Sequence, residues 1–264
     1  MSAEPELKEL LAIALRAAEI ARGVIMPIWQ TTFSVELKAD GTPVTAADRG
    51  AEEAIRAFLA LECPGHGVLG EEFGETPGQG RYRWVLDPID GTKAFVHHVP
   101  LFGSLIALER DGWPVVGVIA CHAVGEIAAA AEGYGATVNG ERARVSTVGR
   151  LEEAMVSTSS VAGLNHYQPD LVATLAGRAK LMRTWGDCYG YLMLAAGRAD
   201  IMLDAQMSPW DVAALFPIIR EAGGTITTFA GEGRPGDSVA ASNGHLHGEL
   251  LSILRGGGQE PDAS

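Results

Sequence analysis

The sequence is short of basic residues and of cysteine, and each shortage narrows the possible functions. Only 20 Lys and Arg stand against 33 Asp and Glu, which gives a formal net charge of −13. Because nucleic-acid backbones call for a basic protein face, we expect no nucleic-acid partner. The three cysteines, Cys63, Cys121 and Cys188, are scattered without a CxxC pair, so neither a disulfide framework nor a zinc site is expected.

Long apolar runs are also missing. Hydrophobic residues make up 47% of the 264, yet no run approaches the ~20 apolar residues of a membrane span. The N-terminus lacks the charged-then-apolar signature of a signal peptide. We therefore expect a cytoplasmic protein without a membrane partner. A chain of this length can form one large domain or two closely packed lobes around a substantial core.

A turn with two carboxylates is the most informative stretch that the sequence does contain. Residues 84–93 read WVLDPIDGTK, in which an apolar strand runs into a turn. Pro88 is predicted to end the strand's hydrogen-bond ladder, and Gly91 permits a tight turn with exposed backbone N–H groups. Asp87 and Asp90 would face one pocket and repel each other unless they are protonated or bridged by a cation. Oxygen ligands on a short loop suit Mg²⁺ beside a phosphate, and an ordinary solvated turn is the alternative.

Further acidic residues stand at the ends of other predicted elements. Glu71 and Glu72 follow a brief strand over 68–70, and a solvated pair is the alternative interpretation. Asp211 lies in the first turn of a helix that has Ser208 as its predicted N-cap, where an acidic residue also simply favours the helix dipole. Each of these residues has an ordinary structural explanation, so only their combination indicates a shared site.

The first half of the chain is predicted to begin with helix and to continue as antiparallel strands. One long amphipathic helix is expected over 4–30, followed by a turn at 39–43 and a second helix with Thr45 as its N-cap. The polar, glycine- and proline-rich segment 75–80 is predicted to be a surface loop. Two strands around 109–112 form a good hairpin pattern.

The second half alternates strand and helix, including single predicted helices over 168–178 and 208–222. The change of pattern predicts a layered α/β fold with two lobes. These are an N-terminal α+β lobe, residues 1–147, which carries most of the acidic motifs, and a C-terminal α/β lobe, residues 148–264, which adds Asp211. Because the motifs come from both halves, the site is expected between the lobes.

In their order along the chain, these motifs resemble those of the inositol monophosphatase family of Mg²⁺-dependent, lithium-sensitive phosphatases. The resemblance covers residues 7–247 and implies a sugar-phosphatase-like fold of alternating α-β-α-β-α layers and a homodimer. The motifs that carry it are Asp48, Gly70-Glu71-Glu72, Asp87-Pro88-Ile89-Asp90-Gly91-Thr92, Trp210-Asp211 and Glu221-Ala222-Gly223-Gly224.

The resemblance implies a set of metal ligands. These are the carboxylates of Glu71, Asp87, Asp90 and Asp211, together with the carbonyl of Ile89. Two or three Mg²⁺ per site, inhibited by Li⁺, are the implied cofactor. Such ions neutralise charge on a phosphate and favour attack by water, so no covalent nucleophile is needed.

The resemblance also implies catalytic and phosphate-binding positions. Thr92 and Asp48 would orient the attacking water, with Glu71 as a further catalytic residue. The backbone N–H groups of Gly91 and Thr92 would receive the phosphate. Serine, cysteine and histidine residues occur in no recognisable triad or elbow context.

The segment 183–191, RTWGDCYGY, carries the substrate prediction. Together with the DGTK motif, its WGDxxGY pattern resembles the histidinol-phosphate phosphatase branch of the family. Asp187 would pair with a cationic substrate group and Trp185 would offer a flat wall. Asp204 matches the family's acidic substrate contact. A helix N-cap is the alternative for Asp187, and core packing is the alternative for Trp185 and Tyr191.

We therefore predict a phosphate monoester hydrolase that uses metal-activated water, with histidinol phosphate as substrate and a place in histidine biosynthesis. Inositol-1-monophosphatase and 3′(2′),5′-bisphosphate nucleotidase are alternatives within the same chemistry. A non-catalytic regulatory protein that has kept the fold is the alternative from another class. His97, His98 and Trp210 depart from the branch pattern. The two histidines are expected in a loop, and lining of the site is the alternative.

Overall fold

The structure is a computed structural model that describes residues 6–29, 31–38, 41 and 43–256. Some positions of the predicted first helix (4, 5 and 30), of the turn after it (39, 40 and 42) and of the C-terminal tail (257–264) lie outside the described residues. Within the described part, no helix is long and apolar enough to cross a bilayer.

Two long helices precede the first sheet. Helix α1 spans Leu7–Trp29 and helix α2 spans Ala46–Glu62, with a small ribbon of β1 (Glu36–Leu37) and β2 (Pro43–Val44) between them. The predicted cap of α2 is confirmed, because the hydroxyl oxygen of Thr45 accepts a hydrogen bond from the backbone N–H of Ala47 at 3.1 Å.

An eight-stranded sheet follows, interrupted by the short helix α3 (Thr92–Val96). Its strands are β3 (Gly67–Gly70), β4 (Gly74–Thr76), β5 (Tyr82–Asp90), β6 (Gly103–Arg110), β7 (Trp113–Cys121), β8 (Glu126–Ala131), β9 (Gly135–Val138) and β10 (Glu141–Arg142). Their order is β10-β9-β8-β7-β6-β5-β3-β4, and among these neighbours only the β3–β5 pair is parallel.

The second half forms a five-stranded sheet with helices on both faces. Its elements are β11 (Met155–Thr158), α4 (Val161–Tyr167), α5 (Leu171–Arg178), β12 (Leu181–Arg183), α6 (Asp187–Ala195), β13 (Ile201–Asp204), α7 (Pro209–Val212), α8 (Leu215–Glu221), β14 (Thr225–Thr227), β15 (Val239–Ser242) and α9 (His247–Leu254). The strand order is β12-β11-β13-β15-β14, in which β11 runs parallel to both of its neighbours.

Three apolar clusters show how these elements stack. Trp84 and Leu86 of β5 point into a core shared with α1 and α2, whereas Val85 between them faces the opposite side of the sheet. That second core includes Leu192 of α6 and Phe216 of α8, and it reaches the five-stranded sheet. The third core lies between that sheet and helices α4, α5 and α9. The predicted α-β-α-β-α layering is therefore confirmed, while the lobe boundary at 147/148 stays a prediction.

The central strand differs from its prediction, because β5 continues through Pro88 to Asp90. Its pairing with β6 is regular up to Asp87 and shifts register before resuming at Asp90. Pro88 has no N–H to contribute there, and its carbonyl instead accepts a hydrogen bond from the Ser104 hydroxyl at 2.6 Å. The strand thus delivers both aspartates from one irregular end.

Three other elements also differ from their predictions. Strand β4 occupies the start of the predicted loop 75–80, where it pairs with β3 at the sheet edge. The predicted helix 168–178 begins only at Leu171, as α5, after Asp170, whose φ is +65°, and a separate helix that was not predicted, α4, precedes it. The predicted helix 208–222 is likewise divided into α7 and α8, because Pro217 cannot donate the hydrogen bond that would continue one helix.

Candidate active site

Three carboxylates meet at the end of β5. Oxygen atoms of Asp87, Asp90 and Asp211 all lie within 4.8 Å of one another. Asp87 and Asp90 come from the irregular end of β5, and Asp211 comes from the first turn of α7. Helix α7 holds Asp211 in place through a capping box, in which the backbone N–H of Ser208 donates to Asp211 Oδ2 at 2.7 Å.

The electrostatics of this cluster call for a cation. Burial raises the pKa of Asp87 well above its ordinary value, and the neighbouring charges of Glu71, Asp90 and Asp211 raise it further. Burial likewise raises the pKa of Asp211 to about 6. The Oδ1 atom of Asp87 is buried and has no hydrogen-bond partner among the described residues. Clustered carboxylate oxygens with an unsatisfied buried acceptor fit a hard divalent cation.

The fourth predicted carboxylate, Glu71, lines the same cavity but has a different partner. The Lys38 ammonium lies 2.7 Å from Glu71 Oε1 and 2.5 Å from Glu72 Oε1. Burial alone would lower the pKa of Lys38, but its hydrogen bonds to both glutamates raise it above the ordinary value. Lys38 therefore compensates the negative charge at this edge of the site.

A buried glutamate on α2 holds the turn that carries Glu71. The carboxylate of Glu52 accepts hydrogen bonds from the backbone N–H groups of Glu72 at 2.8 Å and Phe73 at 3.3 Å. The approach is so close that a Cβ atom at Gly70 would stand 2.0 Å from Glu52 Oε1. Glycine at position 70 is thus required by the packing of this turn.

The central turn has the conformation that its sequence predicts. Gly91 adopts a left-handed φ of +82° and precedes α3 as its N-cap residue. The Thr92 hydroxyl donates to the carbonyl of Ile89 at 2.9 Å, which joins a predicted catalytic residue to a predicted metal ligand. Gly91, Thr92 and Ile89 all line the acidic cavity described below.

Asp48 lies outside this arrangement. Its carboxylate Oδ2 accepts from the backbone N–H of Thr45 at 2.8 Å and from the Thr45 hydroxyl at 2.6 Å, which completes the capping box of α2. Burial raises the pKa of Asp48 to about 6. Asp48 does not line the acidic cavity, so its predicted role in orienting water stays a prediction.

The carboxylates open into two connected cavities. The acidic cavity, about 340 Å³, is lined by Glu71, Asp87, Asp90, Asp211 and the central turn. The adjoining cavity, about 590 Å³, extends from Asp90 and Asp211 to the ends of β11 and β13. The residues common to both cavities are Asp90, Lys93, Asp187, Gln206 and Asp211. A small molecule could therefore place one end at the carboxylates and the other in the adjoining cavity.

Asp187 stands at the junction of the two cavities. Its φ of +49° is left-handed, a conformation that costs a non-glycine residue roughly 1–2 kcal/mol. Burial raises the pKa of its carboxyl, while the neighbouring Ser159 hydroxyl and the charge of Lys93 oppose that increase. Helix α6 begins after Gly186, and Asp187 forms no side-chain cap, so the N-cap interpretation of Asp187 is wrong.

Asp204 lines the adjoining cavity, yet protein donors already engage its carboxylate. It accepts from the Ser159 N–H, the Ser159 hydroxyl and the Tyr191 hydroxyl, each at 2.9 Å. Burial raises the pKa of Asp204 to about 7, and those hydrogen bonds oppose the increase. This geometry favours an internal anchor over the direct substrate contact predicted for Asp204.

The remaining predicted residues lie away from both cavities. Trp185 lines neither cavity, and 42% of its surface is exposed. His97 and His98 are exposed loop residues after α3, as expected, and the His98 ring lies 5.6 Å from that of Phe33. The structure thus does not bring Trp185 into contact with the proposed substrate volume.

Sequence reasoning did not single out Lys38, Ser159 or Gln206, which the structure places at the site. Ser159 lies directly after the parallel strand β11, a position where polar residues commonly line ligand sites. That position was the available signal for Ser159. Lys38 and Gln206 belong to no motif, and only the tertiary structure brings Lys38 to Glu71 and Gln206 to the wall of both cavities.

The alternating α-β-α-β-α layers, with a carboxylate-lined cavity, place the protein in the sugar-phosphatase-like fold class. The chain belongs to the inositol monophosphatase family, whose family model matches residues 6–259. This match confirms the resemblance that the motifs indicate.

Individual relatives resemble the chain over nearly its whole length. The histidinol-phosphatase of Mycobacterium tuberculosis is 42% identical over 262 residues, which cover 96% of this chain and 98% of that protein. The histidinol-phosphatase of Chlorobaculum parvum is 39% identical over 251 residues, covering 94% and 97%. The crystal structure of the extragenic suppressor protein suhB from Bartonella henselae has a TM-score of 0.87 at 31% identity, covering 94% of this chain and 98% of that one.

Proposed function

We propose that this protein is a metal-dependent phosphate monoester hydrolase whose substrate is histidinol phosphate. The observation that carries the chemistry is the convergence of Asp87, Asp90 and Asp211 on one centre within the acidic cavity. The substrate is supported by the two relatives named histidinol-phosphatase, at 42% and 39% identity. It is also supported by the position of Asp187 beside that centre.

The cofactor would be Mg²⁺, held by the carboxylates of Asp87, Asp90, Asp211 and Glu71 and by the Ile89 carbonyl. When bound, these ions neutralise the phosphate and promote attack by water. Their number, the sensitivity to Li⁺, the homodimer and the cytoplasmic location expected from the resemblance stay predictions.

The chain's own residues have separate tasks in this proposal. The backbone N–H groups of Gly91 and Thr92 bind phosphate oxygens at the left-handed turn, which holds the ester next to the carboxylates. The Thr92 hydroxyl, fixed by its hydrogen bond to Ile89, orients the water for in-line attack. The walls of the adjoining cavity bind the rest of the substrate.

Asp187 would select the substrate. Histidinol phosphate carries an ammonium group, and the Asp187 carboxylate lies in the wall shared by the two cavities. Because Asp187 is half-buried, an ion pair there is worth more than at the surface. A neutral polyol phosphate would gain nothing from this charge.

Substrate turnover with Mg²⁺ tests the proposal. A panel of histidinol phosphate, inositol 1-phosphate and adenosine 3′,5′-bisphosphate should give the highest kcat/KM for histidinol phosphate. A preference for inositol 1-phosphate or for the bisphosphate would overturn the substrate assignment. Hydrolysis of none of the three would favour the non-catalytic regulatory alternative.

The variant Asp187→Asn tests the source of selectivity. It should lower kcat/KM for histidinol phosphate by roughly ten- to a hundredfold and leave kcat/KM for glycerol 2-phosphate nearly unchanged. Asp170→Asn is the matched control, because Asp170 is also a left-handed aspartate at a helix start but is exposed and lines neither cavity. An equal loss on both substrates would argue against recognition of the cation.

A further inference from the structure

The main chain at Asp187 is held in its left-handed conformation by a second segment of the protein. The backbone N–H of Asp187 donates to the Ser159 hydroxyl oxygen at 2.7 Å. Ser159 follows β11, so this bond joins two segments that are 28 residues apart. The Asp187 carboxylate in turn lies over the central turn, where a Cβ at Gly91 would stand 3.1 Å from Asp187 Oδ2.

Ser159 is itself fixed by buried partners. Its hydroxyl donates to Asp204 Oδ2 at 2.9 Å, and its backbone N–H donates to Asp204 Oδ1 at 2.9 Å. The Tyr191 hydroxyl donates to the same Oδ2 at 2.9 Å. Tyr191 lies four residues after Asp187, on the same side of α6, so Asp204 anchors both Ser159 and the first turn of that helix.

The two segments are in backbone contact at this point. A Cβ at Gly186 would stand 2.3 Å from Ser159 Cα, so only glycine lets the chain before Asp187 lie this close to β11. A hydrogen-bonded chain therefore runs from the Asp187 N–H through the Ser159 hydroxyl to Asp204. Such a chain restricts the backbone that aims the Asp187 carboxylate.

We propose that Ser159, anchored by Asp204 and Tyr191, is a positioning residue that sets substrate selectivity by holding Asp187 at the junction of the two cavities. The inference rests on the proposed function, because it assigns Asp187 to the cationic group of the substrate. It also gives Asp204 and Tyr191 a role that requires no contact with substrate.

A neighbouring serine provides the matched control. Ser157 lies two residues earlier on the same face of β11, and its hydroxyl donates to the Trp185 carbonyl at 2.9 Å and the Arg183 carbonyl at 3.2 Å. Ser157 thus holds the same segment without contacting Asp187. Removing its hydroxyl perturbs the packing of the segment but leaves the bond between Ser159 and Asp187 intact.

Steady-state kinetics with two substrates test the proposal. Ser159→Ala should lower kcat/KM for histidinol phosphate by roughly three- to tenfold, mainly through a higher KM. It should change kcat/KM for glycerol 2-phosphate by less than about twofold. Tyr191→Phe should act in the same direction with a smaller effect, and Ser157→Ala should leave the ratio of the two substrates unchanged. Equal losses on both substrates in Ser159→Ala, or an equal change of the ratio in Ser157→Ala, would overturn the proposal.

A double-variant cycle shows whether Ser159 acts through Asp187. In an Asp187→Asn background, adding Ser159→Ala should leave the substrate ratio where Asp187→Asn alone put it. If Ser159→Ala lowers the substrate ratio by the same factor in the Asp187→Asn background as in wild type, Ser159 contacts the substrate independently of Asp187. That result would overturn the positioning role.

Amide hydrogen exchange separates this inference from the proposed function, because it needs neither substrate nor metal. Ser159→Ala should speed exchange at the N-terminal turn of α6, and Ser157→Ala should not. If Asp187→Asn does not alter selectivity, recognition of the cation fails, whatever the exchange data show. If exchange at Asp187 is unchanged in Ser159→Ala, the positioning inference fails even when recognition of the cation holds.

Discussion

Replacing Asp211 with asparagine should stabilise the metal-free protein and remove its response to Mg²⁺. Burial raises the pKa of Asp211 to about 6 from an ordinary 3.8, and the charge of Glu71 adds to the increase, while the bond from the Ser208 N–H opposes it. A carboxyl whose folded pKa lies above its unfolded pKa costs stability as the pH rises from the unfolded to the folded value. Above about pH 6 the cost reaches roughly 3 kcal/mol, an upper limit because Asp211 is partly exposed.

Asparagine keeps the local structure while it removes the charge. Asp211 Oδ2 accepts from the Ser208 N–H at 2.7 Å, and the amide oxygen of asparagine can accept the same bond. The variant should therefore melt about 2–8 °C higher than wild type in the absence of metal. Its turnover of phosphate esters should be lost, since one of the proposed metal ligands is missing.

Thermal melts with a chelator and with Mg²⁺ provide the assay. Wild type should gain stability on adding Mg²⁺, because a ligand that binds only the folded state stabilises it, and Asp211→Asn should gain much less. Asp200→Asn is the control: Asp200 is also buried, but its Oδ2 accepts from the Met155 N–H at 2.6 Å, and it does not line the acidic cavity. An Asp211→Asn variant that melts below wild type without metal and responds fully to Mg²⁺ would refute the reasoning.

Two further predictions follow from single residues. Thr92→Ala should lower kcat roughly tenfold with little change in KM, because it removes the hydroxyl fixed to Ile89, and a loss confined to KM would contradict that role. Burial lowers the pKa of His122 from an ordinary 6.5 to about 4. Between these two pH values the imidazole is protonated in the unfolded chain and neutral in the folded protein, so acid destabilises the fold. From pH 7 to pH 5, the free energy of unfolding measured in urea should fall by roughly 2 kcal/mol less in His122→Gln than in wild type. An equal fall in the two proteins would contradict this prediction.

The parts of the site that the sequence predicted are those whose geometry is local. Asp87, Asp90 and Gly91 lie within five consecutive residues, so a strand end and a left-handed turn suffice to bring the two carboxylates together. Asp211 is fixed by its own capping box, which is also a local pattern. The layered fold followed from the change of pattern and the family motifs, and the three apolar cores agree with it.

The missed contacts join residues that lie far apart in the sequence. Lys38 reaches Glu71 across 33 positions, and Ser159 reaches Asp204 across 45. Strand β11 lies between β12 and β13, so the residue after it stands beside the ends of both neighbours, a position that no local pattern specifies. The N-cap interpretation of Asp187 failed for a related reason: α6 begins after Gly186, and the Asp187 N–H donates to Ser159, which is 28 positions earlier in the chain.

The two connected cavities place opposite demands on a substrate. The acidic cavity concentrates carboxylates, so it can accept a phosphate only when bound cations reverse the local charge. Asp187, by contrast, is paired with no cation at hydrogen-bond distance in the described structure, and the charge of Lys93 only moderates it. Under the proposed function, a substrate with phosphate at one end and ammonium at the other satisfies both demands. A polyol phosphate satisfies only the first, so in this proposal the carboxylate cluster accounts for hydrolysis, and Asp187 together with Ser159 accounts for selectivity.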